Sequence, residues 1–154
     1  MITYFIKPKR RRPDFRVLLS FLWRDVDNVD AWGDISAASG YWTDLDCFHK
    51  MRPEEEFSVF PVKFSPLILC VESETEEMTS RVTYFLAKQT HCGYFETEFG
   101  WYRQPEALIC RFGWDFDLDE AYDRVKASPW YATPRQRRGL IQSVPAMHYI
   151  AQRN

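Results

Sequence analysis

Hydrophobic and polar residues alternate with several different periods along this chain, and each period points to an element. The run ITYFI at 2–6 is β-branched and aromatic and reads as a first strand. Phe15, Leu18, Leu19, Leu22, Trp23 and Val26 then fall at helical intervals, predicting a helix over 13–27 with Pro13 in its first turn. The stretch 28–40, punctuated by Gly33 and Gly40, reads as turn-like. Strand patterns follow at 41–51 and 56–64, where Pro61 marks an edge or a bulge. The near-continuous apolar run 65–73 predicts a central strand.

Ser73 and Glu76 have the spacing of a capping box, and Met78, Val82, Phe85 and Leu86 continue at helical intervals. They predict a second helix near 75–91, closed by His91 and Gly93. The runs 94–103 and 106–114 read as a hairpin turning at Gln104 and Pro105. Asp117 and Glu120 cap a short helix ended by Ser128 and Pro129, and Thr133, Pro134 and Gln136 open a last one over 134–143. The order predicts an α+β fold in a single domain, 1–154. A mainly antiparallel sheet carries two principal helices on one face, plus short C-terminal helices. Leu18, Leu22, Val82 and Leu86 should share one core above a central strand 66–72.

Composition adds two things to this outline. The chain has 154 residues, enough to bury roughly 70% of its unfolded surface. Six Trp, eight Tyr and twelve Phe are more than one core of this size usually needs, which suits either a core padded with aromatics or some aromatics facing solvent, where Trp and Tyr are common binding anchors. Charge is segregated: residues 1–24 carry +6, residues 25–123 carry −14, and residues 124–154 carry +6. Such blocks suit either basic ends folded over an acidic body or separate faces for partners of opposite sign. The basic stretch 7–16 is read as an exposed strand-to-helix connection. No apolar run reaches the ~18 residues of a membrane span, and the early charges follow the first apolar run, the wrong order for a secretory signal. Four cysteines without a close pair are expected as free thiols in a cytoplasmic protein.

Candidate chemistry is sparse. Cys47 and His49, His91 and Cys92, with Cys70, Cys110 and His148, lack zinc-ligand spacing and lack the signature of a Cys–His nucleophile. Asp115, Asp117 and Asp119 alternate as in a calcium loop, but Glu120 and Lys126 stand where that loop needs Gly and Glu. No cofactor or metal is therefore expected. The composition points instead to a small non-catalytic binder of the immunity-protein or phage-inhibitor kind, acting by stoichiometric contact with a macromolecular partner. That partner would be a protein with a basic surface, engaged by acidic and aromatic residues of the central block: Trp42, Asp44 and Asp46 on one strand, Trp101 and Tyr102, and Trp114 with Asp115. A metabolite-handling enzyme with a site assembled from scattered Glu, Tyr and Trp residues, or at the subunit interface of a homo-oligomer, is the alternative reading. Nucleic-acid binding by the basic ends ranks third, and no membrane partner is expected.

Overall fold

In a computed structural model, residues 1–131 are described. They form a six-stranded antiparallel sheet and a layer of helices. The strands are β1 (Ile2–Ile6), β2 (Val29–Gly33), β3 (Leu45–His49), β4 (Arg52–Phe64), β5 (Leu67–Ser73) and β6 (Tyr94–Phe95). The helices are α1 (Phe15–Leu22), α2 (Glu76–Gln89) and α3 (Leu118–Ala127), with 3-10 segments at Val26–Asn28 and Pro105–Arg111. The sheet order is β2-β3-β4-β5-β1-β6, a four-strand meander with β1 inserted between β5 and the short β6. The expected α+β class holds, and β5 lies inside the sheet as its apolar run requires. Pro61 sits at the start of a register shift in the β4–β5 pairing, the bulge its missing N–H imposes. The expected helix 134–143 lies outside the described residues.

Helix α1 is shorter than its apolar stripe. Asp14, rather than Pro13, marks the boundary: its carboxylate accepts from the Arg16 backbone N–H at 3.1 Å and pairs with the Arg16 guanidinium at 2.6 Å. After Leu22 the chain turns extended at Trp23, whose indole stays buried and donates to Glu55. The helical spacing of Trp23 is thus kept without a helix. Helix α2 is capped by Thr75, whose hydroxyl accepts from the Met78 N–H at 3.3 Å. Ser73 remains in β5 and donates to the Glu56 carbonyl, so the cap lies two residues beyond the expected Ser73, and with Met78 at its third position it is not a box. At the other end His91, with φ of 55°, occupies the left-handed closing position. The Cys92 N–H reaches back to the Ala87 carbonyl at 3.0 Å, as a Schellman cap requires.

Ten consecutive residues of α2, 78–87, are buried. The sheet lies beneath them, and the 3-10 helix and α3 close over them. Phe21 gathers Tyr84, Phe85, Phe116 and Tyr122 around itself, with ring centroids 4.7–6.4 Å away. Leu18, Leu22, Val82 and Leu86 share this core as expected. Arg81 is buried here too. Its guanidinium donates twice to the Phe112 carbonyl, at 2.8 and 2.5 Å, and meets Asp115 at 3.3 Å.

Two expectations fail. The segment read as turn-like contains β2, because VDAWG buries Val29, Ala31 and Gly33 on one side only, a strand's alternation. The hairpin over 94–114 does not form. Tyr94 bridges Arg103, but Pro105–Arg111 winds into a 3-10 helix that sinks Pro105 and Leu108 against α2. The stretch 7–16 is a connection, with Lys7, Lys9, Arg10 and Arg11 exposed. Arg12 and Arg16 are the exceptions: the Arg12 Nε donates to the Trp42 carbonyl at 2.7 Å, and Arg16 is held by Asp14.

Candidate functional site: the sheet face opposite the described helices

Strand residues alternate between two environments. Tyr4, Ile6, Ala31, Leu45, Phe57, Val59, Leu69 and Val71 point into the core. Their neighbours Phe5, Trp32, Phe48, Phe60 and Ile68 point the other way, are half-buried, and belong neither to the core nor to the residues packed against it. Strand pairing sets these outward residues in rows. One row is apolar: Phe60 opposite Cys70, Cys70 opposite Phe5, and Phe5 opposite Phe95. Next to it runs a polar row, from Trp32 to Asp46, Ser58, Glu72 and Thr3. Local contacts hold the side chains in place. Trp32 stacks on Phe48 at 5.2 Å, Phe95 meets Tyr102 edge-on at 5.7 Å, and Ser58 donates to Asp46 at 2.6 Å. At one end, Glu56, Glu72 and Glu74 line a recess of about 120 Å³ beside the N-terminal amine.

The expected site residues divide between places. Trp42 is fully buried, its indole N–H donating to the Pro13 carbonyl at 2.8 Å, so it is a core residue rather than a contact anchor. Trp42 and Asp44 precede β3, and only Asp46 of that trio lies on the strand. Asp44 is half-buried in the loop that joins β2 to β3, where its N–H donates to Asp34. Trp101 is 91% exposed on the loop after β6, beside Phe99 at 93%, and Tyr102 touches Phe95 at the border of the sheet face. Trp114 is 99% exposed, but with Asp115 it belongs to the helix layer, through the ion pair with Arg81. The structure therefore brings Asp46 and Tyr102 to one surface and leaves Trp42 and the Trp114 pair off it. Trp32, Phe48, Phe60 and Phe5 were missed, although their alternation with buried neighbours is readable in VDAWG and LDCFH.

The helix side holds two adjoining crevices of about 340 and 320 Å³ that share Trp23, Arg24 and Arg124. Most of the charges there are engaged within the protein. Arg24 meets Glu120 at 2.5 Å, and Arg124 donates to the Ser20 and Phe21 carbonyls. His49 is buried at the edge of this region with both ring nitrogens engaged: Nδ1 accepts from the Met51 N–H at 3.2 Å and Nε2 faces Asp25 at 3.0 Å. Burial pushes the Asp25 carboxyl up, but hydrogen bonds from His49, its own backbone and Asn28 outweigh that and hold it below the ordinary range. This is the environment of a structural imidazole. Cys47, two residues away, is buried, and burial with the Asp46 charge pushes its thiol well up.

Cysteine chemistry gives a direct check. Burial and the Glu72 charge push Cys70 up to about 11, and burial also raises Cys92. All four cysteines are free, and Cys110 is the exposed one. A native thiol titration with a chromogenic disulfide should therefore release one rapid equivalent, from Cys110, with three more only after denaturation. A second rapid thiol would contradict the burial of the others.

Among the described residues no group of three or more His, Cys, Asp or Glu is placed to hold a metal ion, and no helix is long and apolar enough to cross a membrane. No family model matches the chain, and no curated protein or solved structure is significantly similar to it.

Proposed function

We propose that this protein is a small non-catalytic inhibitor of the immunity-protein or phage type, binding one macromolecular partner stoichiometrically through the sheet face that the described helices leave open. One observation carries the reading. Five large apolar side chains on that face pack against nothing in the core, and carboxylates stand among them. Rigid aromatics supply contact area at low entropic cost, while Asp46 and Glu72 steer an oppositely charged partner and fix its register. Those carboxylates would repel a phosphate backbone, so the sheet face favours a basic protein over nucleic acid.

The aromatics can be removed without dismantling the core. Trp32→Ala and Phe60→Ser should each cost only about 1 kcal/mol of stability, since a half-buried side chain contributes about half of what full burial does. Each should also weaken the partner, captured with the parent protein as bait and titrated calorimetrically, by tenfold or more, with saturation at one equivalent. Partner turnover by substoichiometric amounts of this protein, or unchanged affinity in both variants, would overturn the proposal.

A further inference from the structure

Resting on that reading, we infer that the element received by the sheet face is an amphipathic basic helix of the partner, lying across the strands along the row Asp46, Ser58, Glu72 and Thr3. The described helices cover one face of the sheet, and a helix is the element that packs against an open one. The spacing of the charges suits it. Asp46 on β3 and Glu72 on β5 are two strands apart, about 10 Å at the usual ~4.8 Å between strands. A helix rises ~1.5 Å per residue, so cations at positions i and i+7 of one helical face stand about 10.5 Å apart.

The apolar row fits the same occupant. Phe60, Cys70, Phe5 and Phe95 run parallel to the polar row two residues further along the strands, about 7 Å away. A helix of ~10 Å diameter spans both rows, with its cations at i and i+7 over the carboxylates and an apolar stripe at i+1, i+4 and i+8, to one side of them, on the phenylalanines. Glu56 and Glu74, two residues beyond Ser58 on β4 and Glu72 on β5, extend the negative field along the side of such a helix that faces away from the apolar row. An extended segment would pair with the β2 or β6 edge instead and would leave the carboxylate row unused.

The test uses the full chain and three synthetic 18-residue peptides. The first has Arg at i and i+7 with Leu at i+1, i+4 and i+8, the second has the same composition in alternating order, and the third replaces Arg by Glu. The first peptide should bind one equivalent, gain helicity on binding, perturb Trp32 fluorescence and weaken with salt. The other two should bind at least tenfold less well. Phe5→Ser with Phe60→Ser, and separately Asp46→Asn with Glu72→Gln, should each weaken the first peptide at least tenfold; the second pair leaves the apolar row intact, so it answers even if the first misfolds. Equal binding of the alternating peptide, or indifference to both pairs, would overturn the helix. A captured partner that is lost on face substitution yet protects the amides of β2 or β6 would overturn the helix alone and leave the proposed function standing. A captured partner indifferent to every face substitution would overturn the proposed function itself.

Discussion

Trp42→Ala should destabilise the fold by about 3–5 kcal/mol, the usual cost of deleting a large aromatic from a packed core. Such a loss is a large fraction of the 5–15 kcal/mol typical of a domain. Trp42 is fully enclosed, meets Phe15 edge-on at 6.3 Å and donates to the Pro13 carbonyl at 2.8 Å. Its own carbonyl accepts from Arg12. The indole therefore ties the loop before β3 to the residues that open α1. Removing it leaves a cavity beside Phe15 and strips the Pro13 carbonyl of its donor, which adds to the packing loss. Trp42→Phe keeps most of the volume and loses only the N–H, so it should cost less, about 1–2 kcal/mol. Urea unfolding followed by circular dichroism measures both. A Trp42→Ala loss below about 1 kcal/mol would mean that the indole is a surface group after all, as its place in the acidic block first suggested.

The contrast between Trp42 and Trp32 shows where the sequence is legible and where it is not. Buried periodicity was readable because core packing enforces it: Leu18 and Leu22 on α1 and Val82 and Leu86 on α2 meet as their spacing requires. Strand β5 was readable because its run is apolar on both sides. Trp23 shows the limit, since an extended residue after a helix can bury its ring at helical spacing without being helical. The failed hairpin has a similar origin. Between Pro105 and Phe112, what matters is which residues α2 covers, and only contact with α2 selects Pro105, Leu108 and Phe112.

The candidate site was legible only in part. Acidic and aromatic residues of the central block do share a surface, and Asp46 and Tyr102 lie on or beside it. Which tryptophan faces outward depends on a register that composition does not contain. Trp32 is outward because Ala31 and Gly33 must be inward, and that follows from the pairing of β2 with β3. Trp42 is inward because a loop folds it against Phe15. Acidic neighbours accompany both residues, so charge does not separate them.

Gly93→Ala is the second change with a large expected effect, and it separates the two surfaces that compete for the partner. A β-carbon at Gly93 would lie 2.2 Å from the Arg103 carbonyl oxygen and 2.5 Å from the Tyr102 ring, so the backbone itself must move. The bridge between Tyr94 and Arg103, with hydrogen bonds of 3.0 and 2.9 Å, is what that movement breaks. Two backbone bonds at about 1 kcal/mol each, plus lost packing of Tyr102 on Phe95, put the cost near 2–4 kcal/mol. Hydrogen exchange should show lost protection at Tyr94 and Arg103, while β3, β4 and β5 keep theirs. The loop carrying Phe99 and Trp101 would be released, but Trp32, Phe48, Phe60, Asp46 and Glu72 would stay in register. If the sheet face carries the partner, affinity should fall less than tenfold, through Phe95 and Tyr102 at its border. Loss of a hundredfold or more with the central strands still protected would place the anchor on Trp101 and its loop and exclude the face as the principal contact.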